Sequence, residues 1–187
     1  MLIGREWLRP GSEAAYNENE LQLATACATL RCPHPYLALV SVEDAREVWW
    51  LSAFASAEER DGLDDAYARN EPLMAVLAPL GKRKEDFREA IATSRTTHRS
   101  EVSSRPGLTF TGARFVVVTA ANDQGTSSGS VFESSNGDRF RIASAPTRAV
   151  AEEVAEHFGQ ARQYWRCSRS GVFPLRRGYA PTRSSGV

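Results

Sequence analysis

Apolar and polar positions alternate loosely over 2–8 (LIGREWL), and the run stops at Pro10-Gly11, which predicts an opening strand followed by a bend. Tyr16, Leu23, Cys27 and Leu30 then recur at helical spacing, with Ser12 offered as N-cap and Glu13 in the first turn, so a helix is expected over 13–30. Pro33 and Pro35 end it. Residues 36–42 (YLALVSV) and 48–55 (VWWLSAFA) are the strongest strand patterns, and Glu43-Asp44-Ala45-Arg46 between them makes a hairpin.

Ser56-Ala57-Glu58-Glu59 reads as a capping box opening a helix whose apolar face is Leu63, Ala66 and Tyr67. Asn70-Glu71-Pro72 breaks it before a short helix carrying Leu73, Val76 and Leu77, which Gly81 closes. Phe87 and Ile91, four apart, predict another helix over 82–96, and 113–121 (ARFVVVTAA) is then a strand, giving the order βαββαβ. A Gly/Ser-rich loop follows over 122–129. Asn136-Gly137, between strands 130–134 and 138–143, predicts a type I′ hairpin. Thr147 caps a helix carrying Val150, Ala151, Val154 and Phe158 that ends at Gly159, and a final strand spans 162–167. The expected fold is α+β: a ferredoxin-like βαββαβ sandwich over 1–121, a β-hairpin–helix–strand extension over 122–173 packed on it, and a flexible basic tail over 174–187.

Composition leaves that picture standing. A chain of 187 residues, 42% hydrophobic and 25% charged, is long enough to bury a core and ordinary for a globular protein. The opening MLIGREWLRPG lacks the basic-then-apolar order of a secretory signal, and no run approaches the ~18 apolar residues a membrane helix needs. Cys27, Cys32 and Cys167 are an odd set that fits a reducing compartment, so a cytoplasmic protein without a membrane partner is expected.

Charge adds an asymmetry. The formal net charge is zero, yet residues 1–80 hold thirteen acids against six bases, and after Glu156 only arginines follow: Arg162, Arg166, Arg169, Arg176, Arg177 and Arg183. Without a nucleic-acid motif, this basic end fits docking on the chain itself better than RNA; as the alternative function, Arg166, Arg169, Arg176 and Arg177 hold a partner protein in a non-enzymatic interaction module.

The aromatic residues Trp7, Tyr36, Trp49, Trp50 and Tyr67 concentrate on the expected sheet and the helix above it, and form the candidate substrate pocket. Alternation sends Trp49 and Trp50 to opposite faces, one toward the helices and one toward the open side of the sheet, where a partner or the rest of the chain must cover it. His98, flanked by Arg95 and Arg99, is the candidate general base beside an anionic group. Cys27, Cys32 and His34 are zinc-ligand types, but a structural site needs four, and Cys167, His98 and His157 are not spaced as a second pair; no metal or other cofactor is expected. No nucleophile elbow, P-loop, dinucleotide fingerprint or H-E-x-x-H occurs, which removes the common hydrolase, nucleotide and metalloprotease chemistries.

The segment Trp7-Leu8-Arg9-Pro10-Gly11-Ser12-Glu13, followed by a helix and a hairpin ending Val48-Trp49-Trp50-Leu51-Ser52-Ala53-Phe54, resembles the dimeric α+β barrel superfamily, in particular its antibiotic-biosynthesis monooxygenase-like and NIPSNAP-like members. The resemblance covers about residues 1–120 and rests on a strand, a Pro-Gly turn and a helix. It implies two ferredoxin-like units meeting sheet to sheet as a homodimer, with a pocket between sheet and helices for a small apolar or aromatic molecule, and an activity like that of a cofactor-independent monooxygenase. It carries over no catalytic residue.

Overall fold

The computed structural model describes residues 1–34, 36–99, 103, 113–120, 129–157 and 164–167. In chain order the elements are β1 (Leu2–Leu8), α1 (Glu13–Thr29), β2 (Leu37–Ser41), β3 (Glu47–Ser52), α2 (Ala57–Asp61), α3 (Leu63–Ala68), α4 (Glu71–Phe87), β4 (Arg88–His98), β5 (Phe115–Ala120), β6 (Ser130–Ser134), β7 (Arg139–Ala145), α5 (Arg148–His157) and β8 (Tyr164–Cys167). The class is α+β with antiparallel strand pairing, and the chain divides into two compact units. Among the described residues no helix is long and apolar enough to cross a membrane.

The first unit is built on β1. It pairs antiparallel with β3 on one side (Glu6 opposite Val48) and with β4 on the other (Arg5 opposite Ala92). β2 continues beyond β3 (Leu39 opposite Trp49), and the backbone of 165–167 pairs with β2 (Val40 opposite Arg166). The order is therefore β4-β1-β3-β2-β8. Period-2 alternation puts Glu6, Leu8, Val48 and Trp50 on the face toward Tyr16 of α1, where Leu8, Tyr16 and Val48 form a buried cluster with Val40, Trp50 and Phe87 packed on it. A second cluster, Ala26, Cys27 and Leu73, is surrounded by Leu30, Cys32, Tyr36, Tyr67 and Leu77.

The capping box forms: Glu59 N–H donates to Ser56 Oγ at 3.1 Å, and the Glu59 carboxylate reaches back to accept from Ala55 N–H. Asn70 caps α4 by accepting from Leu73 N–H. Ser12 does not cap α1; its hydroxyl donates to the carbonyls of Arg9 and Phe87, so the same side chain ties the bend after β1 to the end of α4.

Two expectations between 71 and 96 are corrected. Gly81 does not close a helix, because α4 runs through Pro79 and Gly81 to Phe87. Its later turns are held from outside: Asn19 Nδ2 donates to the Leu80 carbonyl, and Arg83 Nε donates to Asn19 Oδ1. The helix expected over 82–96 then gives way at Arg88 to strand β4. Ile91, Thr93, Thr96 and Thr97 are β-branched and favour extended backbone, and this segment supplies the partner that the free edge of β1 needs. Phe87, the last helical residue, packs on the Leu8 cluster, whereas Ile91 is 52% exposed; their four-residue spacing marked no common helical face. The strand expected at 113–121 exists as β5, but its antiparallel partner is β7.

The second unit has β7 between β5 and β6 (Val117 opposite Ala143, Phe132 opposite Phe140), with the last residues of β4 against β6 (Thr97 opposite Glu133). Ala151 and Ala155 of α5 are buried, and α5 packs on β5 and β7. Val150 N–H donates to Thr147 Oγ1, as expected for the cap. The β6–β7 turn differs from type I′: only Gly137 takes positive φ (88°), with Gly137 N–H donating to the Ser134 carbonyl and Ser134 N–H to the Asp138 carbonyl. A type I turn closed by a left-handed glycine satisfies the same dipeptide. Residues 122–128, Phe158, Gly159 and the tail over 174–187 lie outside the described residues.

Leu73 is fully buried where α4 meets α1, so Leu73→Ala is expected to lower the unfolding free energy by about 2–5 kcal/mol, read from denaturant midpoints.

Candidate functional site

The first unit buries a set of ionisable groups between its sheet and helices. Glu6 lies in phase with Leu8 on β1 and is 2% exposed; Glu20 lies one helical turn beyond Tyr16 on the inward face of α1 and is 5% exposed. Burial of carboxylates this deep requires partners. Glu6 has four: Tyr16 Oη donates to Oε2 at 2.5 Å and Trp50 Nε1 to Oε2 at 3.2 Å, Arg88 Nη1 donates to Oε1 at 3.0 Å, and Lys84 Nζ stands 3.2 Å from Oε2. Lys84 serves Glu20 as well, 3.2 Å from Oε1, as an ion pair without hydrogen-bond geometry; that oxygen accepts no hydrogen bond. The ammonium also lies 3.7 Å from the centre of the Trp50 ring, and the Tyr36 ring meets Trp50 edge-on with centroids 4.9 Å apart.

This arrangement separates two chemically identical side chains. Burial alone would raise Glu6, but the Lys84 charge and the hydrogen bonds from Tyr16, Lys84 and Trp50 outweigh it and hold its carboxyl below the ordinary range. Burial dominates at Glu20, where repulsion from Glu6 adds to it and Lys84 opposes, and the carboxyl is pushed up to about 7. Burial likewise raises the Tyr16 and Tyr36 phenols, so both are protonated donors near neutrality.

A second group of reactive side chains lies at the far end of α1. Cys32 Sγ is 2.9 Å from the Tyr67 hydroxyl and donates to the His34 carbonyl at 3.2 Å. The His34 ring stacks on Phe54 at 4.0 Å, and its Nδ1 is 3.9 Å from Glu59 Oε1. An open depression of about 480 Å³ over α3 and α4 is lined by Tyr67 with Asp64, Ala68, Met74, Leu77, Ala78 and Gly81. No group of three or more potential metal ligands converges among the described residues.

Of the aromatic residues singled out in the sequence, Tyr36 and Trp50 meet at the carboxylate network, and Tyr67 joins Tyr36 around the Ala26–Cys27–Leu73 cluster. Trp49 and Trp50 do point to opposite faces. Trp7 and Trp49 share the other face with Arg5, whose guanidinium lies 4.4 Å from the Trp7 ring centre and 5.3 Å from that of Trp49. Glu47 accepts there from Arg5 and from Trp49 Nε1. Trp49 is 5% exposed and Trp7 half-buried, so the tryptophan pair by itself does not call for a second subunit. His98 belongs to the second unit, its ring 5.3 Å from that of Phe132, while the groups around Glu6 and Glu20 are all of the first. Arg99, expected as an anion ligand beside it, is paired with Glu133. Arg166 is described only as backbone in β8, and Arg169, Arg176 and Arg177 lie outside the described residues.

Sequence reading missed Glu6, Glu20, Lys84 and Arg88. The available signal was a glutamate in phase with Leu8 on a strand, and another four residues after Tyr16 on a helix face that carries the buried Cys27. No protein-family model, curated protein or solved structure matches this chain.

Two outcomes follow. Lys84→Met removes the cation shared by two buried carboxylates and should destabilise the protein by about 3–5 kcal/mol, measured by urea unfolding at neutral pH. Because the native state keeps the Glu20 proton up to about pH 7, Glu20 contributes stability that is present below the ordinary glutamate pKa and lost as pH rises toward 7. Between about pH 4.5 and 7 the Tm difference between the native chain and Glu20→Gln should therefore move in favour of the variant as pH rises.

Proposed function

We propose that the first unit is a ferredoxin-like βαββαβ sandwich of the α+β barrel kind, which takes a small apolar or aromatic molecule against its sheet–helix interior and moves a proton on it with Glu20. The fold reading is supported by the order β4-β1-β3-β2 with antiparallel neighbours and helices in both crossovers. The chemical reading is carried by one observation: a buried carboxyl, poised at about 7, whose Oε1 accepts no hydrogen bond while aromatic rings stand close by.

A general base works best with a pKa near the operating pH, and Glu20 is pushed up to about 7 beside Glu6, whose carboxyl is held below the ordinary range, and an ammonium. Deprotonated Glu20 takes a proton from an acidic O–H or C–H, and Lys84 stabilises the anion that forms. This is the part of a cofactor-independent oxygenation that a protein supplies: an electron-rich phenolate or enolate held out of water. Trp50 and Tyr36 offer ring faces and edges to an aromatic substrate. Entry is assigned to the depression at Tyr67 and Leu77, since both residues also pack on the Ala26–Cys27–Leu73 cluster beneath.

The test is a thermal-shift series with planar phenols across pH 5.5–8.5, together with native mass spectrometry of the freshly purified protein. The reading requires a stabilising phenol whose effect titrates near pH 7 and disappears in Glu20→Gln. An equal shift in the variant would remove Glu20 from the site.

A further inference from the structure

We propose that Cys27 and Cys32 form a hydroperoxide-reactive dithiol in which Cys32 is oxidised first and Cys27 then closes an intramolecular disulfide with it. The site uses neither Glu20 nor Lys84, so it stands or falls apart from the proton-transfer reading.

The geometry comes from the end of α1. Arg31 is the one described non-glycine residue with positive φ (57°), and this reversal turns the chain back on the helix. Cys32 N–H donates to the Cys27 carbonyl at 2.9 Å, and the Cys32 side chain packs against the buried cluster that holds Cys27. Tyr67, brought over by α3, places its hydroxyl 2.9 Å from the same sulfur. Cys32 is half-buried at this turn, whereas Cys27 is buried. His34, two residues on, has a side chain only 6% exposed and an Nε2 without a hydrogen-bond partner, an unsatisfied polar atom in the same loop.

The thiols differ in the way a two-step oxidation needs. The neighbouring Cys27 thiol, aided by the Tyr67 hydroxyl, outweighs burial and lowers Cys32 to about 6, while the Cys32 sulfur and burial push Cys27 up. One sulfur is a nucleophile at neutral pH, and the other keeps its proton until it attacks. In the first step the Cys32 thiolate attacks one oxygen of the hydroperoxide: an S–O bond forms, the O–O bond breaks, and the leaving hydroxide or alkoxide takes a proton from solvent. In the second, Cys27 sulfur attacks Cys32 sulfur; the S–S bond forms, the S–O bond breaks, and hydroxide leaves with the Cys27 proton as water. The two thiols supply the two electrons, and a small external thiol restores them by exchange.

The experiment uses the full chain with Cys167→Ser, treated with one equivalent of hydrogen peroxide and read by intact mass and peptide mapping. The expected result is a loss of about 2 Da with the bridge between Cys27 and Cys32. With Cys27→Ser added, oxidation should stop at a sulfenic acid on Cys32 that dimedone traps. Tyr67→Phe should move the pH profile of Cys32 alkylation upward from about 6. Should Cys27→Ser fail to fold, Cys32→Ser tests the same point at a half-exposed position, since it must abolish the peroxide reaction. Oxidation persisting at Cys27 in that variant, alkylation of Cys32 with a midpoint near the ordinary thiol value of about 8.5, or sulfinic acid without a bridge would each overturn the proposal.

Discussion

The first unit is organised around the Glu6 carboxylate. It sits in the middle of the central strand, and its four partners come from α1 (Tyr16), β3 (Trp50), α4 (Lys84) and the start of β4 (Arg88). A buried charge is tolerated only while its partners are all in place, so this one group fixes the approach of both helices to the sheet as well as the point where α4 must end. The apolar cluster of Leu8, Tyr16 and Val48 supplies cohesion but little direction; the hydrogen bonds to Glu6 supply the register.

The same constraint explains why Glu20 behaves differently. Lys84 is one cation between two carboxylates, and Glu6 has already claimed Tyr16, Trp50 and Arg88. Glu20 is left with burial and a negative neighbour, which favour the protonated carboxyl, and with only a share of one ammonium to oppose them. Glu20 is thus the carboxyl that the network leaves incompletely satisfied.

Much of the fold was legible in the sequence because local rules and tertiary structure agree there. The Pro10-Gly11 bend, the 36–55 hairpin, the Ser56–Glu59 box and the Thr147 cap each have a short-range cause. The α4–β4 junction was not legible, since Phe87 and Ile91 satisfy a helical period while the deciding influences are a distant strand edge at β1 and the bond from Arg88 to Glu6. Tyr36, Trp50 and Tyr67 stood out by their type and position, and of these Tyr36 and Trp50 meet beside the carboxylates. The ionisable groups were hidden because Glu6, Glu20 and Lys84 read as surface charges until three separate segments are brought together. Cys27, Cys32 and His34 stood out as metal-ligand types, whereas the arrangement that distinguishes the two thiols depends on Tyr67, thirty-five residues away.

Arg31 occupies a backbone region where a side chain costs roughly 1 kcal/mol or more relative to glycine. The reversal persists because Asn70 Nδ2 donates to the Leu30 carbonyl and the Cys32 N–H to that of Cys27. A turn held in this way is a natural fraying point: relaxing Arg31 frees the last turn of α1 without disturbing the strands. Amide exchange over 28–32 should accordingly be governed by a local opening of low free energy, separate from global unfolding. The buried thiol at Cys27 would then meet solvent on the timescale of that opening, long before the protein unfolds.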